Sequence, residues 1–199
     1  MISHTYRHPA TAEAGPSFDL GELRLRPLRA TDLPQVYAGL SDPRVIAHYG
    51  VSYDSLAAAE EQMAWYRHIV ESGSGIWWAL ARQTDDQLIG ACGFNDWCHP
   101  HRRIELGYWL LPHAWGQGLM RRALPVILVH ALQTMGVHRV HADVEPENLP
   151  SVKLLQALGF TLEGTLRDVE CKAGSFLSLH QFSLLASDPA ADRLRATLA

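Results

Sequence analysis

The segment Ile104–Arg122, IELGYWLLPHAWGQGLMRR, constrains the fold of this chain more than any other. It opens with eight mostly apolar residues that end at Pro112, which is the length and composition of a buried strand. A turn containing Gly116 and Gly118 follows. A helix expected from about Gly116 to Met135 then leads to a strand at 139–144, which should be parallel to the first because the helix crosses between them. The order is therefore strand, glycine turn, helix. Glycines there let the backbone approach a ligand closely, and the free N–H groups of a helix start favour an anion such as phosphate.

Two common phosphate-binding motifs do not fit this turn. The dinucleotide-binding pattern Gly-x-Gly-x-x-Gly requires a third glycine where the chain has Arg121. A P-loop requires Gly-Lys-Ser/Thr, which does not follow here. A nucleotide-binding α/β domain is therefore disfavoured, and a tight turn that simply needs glycine stays open as the plainer explanation.

Two ordered motifs carry a family resemblance. The sequence ELGYW at 105–109, followed by WGQG at 115–118, resembles the acetyl-CoA motif of GNAT-fold N-acetyltransferases, most closely the RimJ/RimL-like group. A second block, NLPS at 148–151 and LGF at 158–160, is similar to the Asn-x-x-Ser and Leu-Gly-Phe signature of that group. The resemblance extends from Leu23 to about Leu185. It implies an α/β GNAT fold with a mixed sheet of about seven strands and helices on both faces. It also implies an enzyme that transfers acetyl from acetyl-CoA to an amine.

Composition and charge bound the remaining choices. The chain has 199 residues, of which 47% are hydrophobic and 19% charged, as in one globular domain with its own core. Its net charge of -4 argues against a general nucleic-acid binder. No apolar run approaches the ~20 residues of a membrane span. Three cysteines without paired spacing suit a reduced cytoplasm. We expect a flexible arm at 1–20, the GNAT domain at 21–186 and a polar tail at 187–199.

The resemblance also implies how acetyl-CoA is held. The sheet would open between two parallel strands, and the pantetheine arm would fill the opening by pairing with main-chain groups of Leu110 and Leu111. The predicted helix Leu56–Val70 and the loop between it and the preceding helix would form a wall of the acceptor pocket. His113 stands where the family usually has Gln or Arg, a tolerable departure because amides do most of the holding. The residues whose amides would hold the pyrophosphate are Trp115, Gly116, Gln117, Gly118, Leu119 and Met120.

Asn148 and Ser151 stand at the predicted start of a helix. Asn148 suits the N-cap by its own chemistry, and the resemblance adds a bond from it to the pantetheine arm. The resemblance also places the Ser151 hydroxyl near the thioester sulfur, where it would steady or protonate the leaving thiolate. Many GNAT enzymes use a tyrosine for this task, at a position that is Leu155 here. A first-turn polar residue without a catalytic role remains the alternative for Ser151.

Glu105 is a carboxylate within an apolar strand, and carboxylates are rarely buried without a partner. One interpretation is a general base that faces the cleft. Such a base is needed because an amine acceptor is mostly an ammonium ion near neutral pH and must lose a proton before it attacks. The other interpretation is a strand-end residue that faces solvent beside Arg102 and Arg103. Both stay open on the sequence alone.

No metal is expected. The run Cys98-His99-Pro100-His101 lies in an expected loop at 95–103 and lacks further ligands at a zinc-like spacing, so a polar loop explains it. The acceptor is left open between a protein N-terminal amine and a small-molecule amine, and a homodimer is left open as well. A second class of function also stays open: a non-catalytic sensor or scaffold that binds acetyl-CoA. Glu105 and Ser151 are the residues that discriminate an enzyme from such a scaffold.

Overall fold

Eight strands form one mixed sheet in the computed structural model, which describes residues 15–198. Across the sheet the order is β1-β2-β3-β4-β5-β6-β8-β7. The pair β5–β6 is parallel, and the other neighbouring strands of the described chain are antiparallel. The expected mixed sheet is confirmed, with one strand more than about seven. The strands are β1 Phe18–Asp19, β2 Leu23–Pro27, β3 Ile76–Arg82, β4 Leu88–Cys98, β5 Arg103–Leu110, β6 Arg139–Val144, β7 Thr161–Lys172 and β8 Ser175–Leu185.

Helices cover both faces of this sheet, as predicted. Along β3, Trp78 and Leu80 pack in one apolar cluster with residues of the long helix after the glycine turn. Trp77 and Ala79 pack in a second cluster with residues of the helices that precede β3. Successive side chains of a strand point to opposite faces, so the two clusters lie on opposite sides. The helices are α1 Leu33–Leu40, α2 Pro43–Ile46, α3 Leu56–Glu71, α4 Leu119–Gln133, α5 Leu149–Ala157 and α6 Pro189–Thr197.

Two boundaries near the motifs differ from the sequence prediction. The expected loop at 95–103 is largely strand, because β4 continues through an irregularity in pairing to Cys98 and a short 3₁₀ turn follows. The helix expected from about Gly116 begins at Leu119 instead. The φ angles of Gly116 and Gly118 are 73° and 70°, in the left-handed region that a right-handed helix cannot include.

The two predicted flanking segments need correction where the structure describes them. Residues 1–14 of the expected arm lie outside the described residues, but Phe18–Asp19 pairs with β2 and the Trp78 indole donates to the carbonyl of Pro16 at 2.8 Å. The expected polar tail contains α6, which buries Ala190 and Ala191. The glycine at 159 lets α6 pack closely against it, because a Cβ on Gly159 would lie only 2.3 Å from the Cβ of Ala190.

The sheet opens between β5 and β6. Their pairing joins Arg103–Glu105 to Arg139–His141 and then stops. Both strands continue beyond this point, β5 to Leu110 and β6 to Val144. The main-chain groups on the facing edges are therefore left without a partner strand. This is the opening that the family resemblance implied between the two parallel strands.

Candidate active site

A cavity of about 630 Å³ lies at this opening. One side is formed by residues 105–108 of β5 and the other by residues 142–144 of β6. The loop 48–53 and helix α3 supply a third wall, in keeping with the acceptor wall implied by the resemblance. Glu170 and Lys172 on the β7–β8 hairpin also line the cavity.

Glu105 lies where the pairing of β5 with β6 ends, and its side chain lines the cavity. Asn95, on the neighbouring β4, donates from Nδ2 to Glu105 Oε2 at 3.0 Å. Burial first, and then the nearby carboxylates of Asp96 and Asp143, raise the pKa of Glu105 to about 7. The interpretation of Glu105 as a solvent-facing strand end is therefore wrong. Sequence reasoning also missed Asn95, which it assigned to a loop.

Asn148 and Ser151 reach the same cavity from the start of α5. The Oδ1 atom of Asn148 accepts a hydrogen bond from the Ser151 amide at 3.3 Å, which confirms the predicted N-cap. The Ser151 hydroxyl is hydrogen-bonded to the hydroxyl of Tyr108, which comes from β5. The structure thus brings Ser151 together with a phenol that the sequence analysis did not single out.

The glycine turn presents main-chain amides at the start of α4. The amides of Gly118, Leu119, Met120 and Arg121 make no hydrogen bond within the described residues, as expected for the first turn of a helix. No atom lies within 4 Å of a Cβ placed on Gly116 or Gly118. The open approach, the bare amides and the helix dipole together fit a pyrophosphate.

Two predicted main-chain contacts to the cosubstrate are already made within the protein. The Leu111 amide donates to the carbonyl of Ile89, and the Leu111 carbonyl accepts from the amide of Ala114, both at 2.9 Å. The Trp115 amide donates to the carbonyl of Pro112 at 3.2 Å. The main-chain groups of a strand point alternately to its two neighbours, so Leu111 faces β4 whereas Leu110 faces the opening. Leu110 therefore stays a candidate through its amide, because its carbonyl already accepts from the Trp115 indole, and the assignments of Leu111 and of the Trp115 amide are corrected.

Side chains brace the glycine turn in a way that the sequence did not reveal. The Trp115 indole donates from Nε1 to the carbonyl of Leu110 at 2.9 Å. The Gln117 amide donates from Nε2 to the carbonyl of His113 at 2.8 Å. The shape of the turn therefore depends on these two hydrogen bonds as well as on its glycines.

Carboxylates dominate the charge of the cavity. Glu145 is paired, with His48 at 2.6 Å and with Lys172 at 3.8 Å. One oxygen of Asp143 is buried without a hydrogen bond. The lining carboxylates that make no ion pair within residues 15–198 are Glu61, Glu105, Asp143 and Glu170. Such a lining favours a cationic ligand.

The loop that follows β4 is explained by local contacts. The His99 ring stacks on Trp97 with ring centroids 4.0 Å apart, and its Nε2 is hydrogen-bonded to the carbonyl of Gly73 at 2.8 Å. Within the described residues, no group of three or more His, Cys, Asp or Glu is placed to hold a metal ion. In the same part of the chain, none of the helices has the length and apolar character that crossing a membrane requires.

Comparison with known proteins decides the family. The family model of the acetyltransferase (GNAT) domain matches residues 22–161. This chain belongs to the GNAT acetyltransferase family. The N-acetyltransferase p20 of Bacillus licheniformis, described as uncharacterized, is 31% identical over 164 residues, which cover 82% of this chain and 92% of the relative.

Other GNAT relatives differ in what they act on. The spermidine N(1)-acetyltransferase of Escherichia coli is 24% identical over 144 residues, which cover 72% of this chain and 75% of that protein. A solved structure of a ribosomal-protein-S5-alanine acetyltransferase from Vibrio fischeri superposes with a TM-score of 0.77 at 20% identity. It covers 87% of this chain and 98% of that one, and it shows the shared GNAT fold. The chain is thus a GNAT N-acetyltransferase with RimJ/RimL-like relatives, and enzymes of this family use acetyl-CoA.

Proposed function

We propose that this GNAT protein acetylates the amine of an acceptor that carries more than one positive charge. The observation that carries the proposal is the set of four unpaired carboxylates around one cavity, Glu61, Glu105, Asp143 and Glu170. Besides burial, charge repulsion from Asp143 raises the pKa of Glu105, and a bound cation relieves that repulsion. A single ammonium group would offset only one of the four. An acceptor with a second cationic group fits the cavity better than a monoamine.

The donor side of the site is assigned to main-chain groups. The bare amides at the start of α4 suit the pyrophosphate, while the main chain of Leu110 and the Asn148 side chain suit the pantetheine arm. When bound there, acetyl-CoA supplies an activated acetyl thioester. The N–H groups of Leu106 and Tyr108 face the opening by the same alternation that directs Leu110, and they are placed to stabilise an oxyanion.

Glu105 is assigned the role of general base. A pKa of about 7 leaves the carboxylate about half ionised near neutral pH, which suits removal of a proton from an ammonium. Direct attack by the amine is favoured over an acyl-cysteine intermediate. No cysteine of the described chain lines the cavity, and burial raises the pKa of the Cys92 thiol well above its usual range.

The test is thiol release from acetyl-CoA across acceptors matched in size but not in charge. Butylamine is compared with 1,4-diaminobutane, and a peptide with neutral residues after its N-terminus is compared with one that has lysines there. We expect kcat/KM to be at least tenfold higher for the dicationic member of a pair, about 1.4 kcal/mol. Glu61→Gln should shrink that ratio. Glu60→Gln, the same charge change at an exposed neighbour outside the cavity, should not.

Equal rates for both members of each pair would exclude a charge-selective acceptor site while leaving acetyl transfer in place. Absence of thiol release with any acceptor, with acetyl-CoA still binding by calorimetry, would instead indicate the sensor or scaffold.

Replacement of Ser151 by alanine tests the leaving-group role. We expect kcat to fall tenfold to a hundredfold, about 1.4 to 2.8 kcal/mol, with little change in the affinity for acetyl-CoA. The reason is that a contact to the developing thiolate strengthens in the transition state and not in the ground state. Ser187→Ala, at an exposed serine outside the cavity, is the matched control. An unchanged kcat for Ser151→Ala would assign the role to water or to another residue.

A further inference from the structure

The hydrogen bond between Tyr108 and Ser151 joins two elements across the sheet opening. Tyr108 lies in β5, where it stands opposite Cys92 of β4. Ser151 lies in the first turn of α5, where its amide is bonded to the N-cap Asn148. Both hydroxyls line the cavity. The backbone of each partner is thus fixed by its own element, and the hydrogen bond between their side chains joins the two elements.

The chemistry of the two hydroxyls indicates which one donates. Burial raises the pKa of Tyr108 to about 12, so the phenol keeps its proton over the whole working range of pH. A phenol is a stronger acid than an aliphatic alcohol, and a serine oxygen has two lone pairs that accept. With Tyr108 as donor and Ser151 as acceptor, the serine proton is directed away from the phenol. Ser151 lines the cavity, so a ligand in the cavity is within reach of that proton.

We propose that Tyr108 is a positioning residue that donates to Ser151 Oγ and so directs the Ser151 hydroxyl toward the leaving sulfur. The inference rests on the acetyl transfer proposed above and gives Tyr108, a member of the ELGYW motif, a role in it that neither the motif nor the comparisons assign. Two hydrogen bonds in series polarise each other, which strengthens the second one. The Ser151 hydroxyl therefore becomes a better donor to a thiolate than an isolated serine would be.

The bond changes balance without any proton leaving Tyr108. The amine nitrogen forms a bond to the acetyl carbon, the carbon–sulfur bond breaks, and sulfur takes the electron pair. Glu105 takes one proton from the acceptor ammonium before the free amine attacks, and the second proton that the nitrogen loses as the amide forms passes to solvent. Ser151 stabilises the thiolate by its hydrogen bond, and Tyr108 keeps Ser151 in the orientation that makes this possible. The thiolate is protonated after it meets solvent.

A double-mutant cycle tests the inference. Tyr108→Phe keeps the ring and removes the hydroxyl, and we expect kcat to fall about threefold to tenfold with the KM for acetyl-CoA unchanged. In a Ser151→Ala background the same change should have no further effect, because Tyr108 acts through Ser151. Tyr37→Phe is the control, since its hydroxyl donates to the Asp54 carbonyl at 3.3 Å outside the cavity.

The possible results separate this inference from the proposed function. Multiplying effects of Tyr108→Phe and Ser151→Ala would overturn the positioning role, because residues that act independently add in free energy. A loss for Tyr108→Phe greater than for Ser151→Ala would also overturn it, with the phenol then being the group nearer sulfur. A wild-type protein that releases no thiol with any acceptor contradicts the acetyl transfer itself, before the cycle is measured.

Discussion

Replacement of Glu105 by glutamine is expected to lower kcat a hundredfold to ten-thousandfold at pH 7, the range that loss of a general base produces. Glutamine keeps the shape of the side chain and its contact with Asn95 Nδ2, but it cannot accept a proton. The affinity for acetyl-CoA should stay near that of the wild type, because Glu105 is assigned to the acceptor side of the cavity. The measurement is thiol release at saturating acetyl-CoA, together with calorimetry of acetyl-CoA binding.

The pH dependence of this variant distinguishes a base from a positioning group. In the wild type the active form of Glu105 is the carboxylate, whose pKa is raised to about 7. Wild-type kcat/KM should therefore fall as pH drops below about 7. The variant has no such group. Its rate should rise as the pH approaches the pKa of the acceptor amine, because the unprotonated amine is then present without help from a base. The two profiles should converge between about pH 7 and pH 10.

Two other outcomes would contradict the role of Glu105. Profiles that run parallel at a constant ratio would mean that Glu105 orients the acceptor and does not take its proton. Coincident profiles would remove it from the reaction altogether. Glu147→Gln, at an exposed glutamate outside the cavity, serves as the control for a general effect of charge.

Local patterns in the sequence were enough to predict the scaffold of the site. The apolar run that ends at Pro112 predicted β5, and the asparagine at 148 predicted the start of α5. Both signals act over a few residues: hydrophobic periodicity in one case and a side chain that satisfies a free amide in the other. The parallel pairing of β5 with β6 also followed from the sequence, because a helix lies between them and returns the chain to the same edge.

Contacts between distant residues were beyond such patterns. Tyr108 and Ser151 are 43 positions apart, and nothing local to either one indicates that their hydroxyls meet. The high pKa of Glu105 depends on its burial and on Asp96 and Asp143, which the sheet brings near it. The error at Leu111 has a different cause. Two adjacent strand residues were assigned to one neighbour, although their main-chain groups must face opposite sides.

Replacement of Gly118 by valine is expected to weaken acetyl-CoA binding about a hundredfold or more, roughly 3 kcal/mol. Gly118 is the N-cap of α4 and has a φ of 70°, which a β-branched residue adopts only at a high cost. Relaxing to a negative φ would rotate the amides that are assigned to the pyrophosphate. Gln117→Ala should cost less, about 1 kcal/mol, because it removes one exposed hydrogen bond to His113.

Gly136→Val separates backbone strain from loss of the binding site. Gly136 has a φ of 71° and, like Gly118, no atom within 4 Å of a Cβ placed on it, but it follows the opposite end of α4. Both variants should lose similar thermal stability, since both force valine into the left-handed region. Calorimetry at a temperature where both are folded should show weakened acetyl-CoA binding in the Gly118 variant alone. Equal loss in the two variants would mean that strain acts through the whole helix, and full-strength binding by folded Gly118→Val would remove the turn from the acetyl-CoA site.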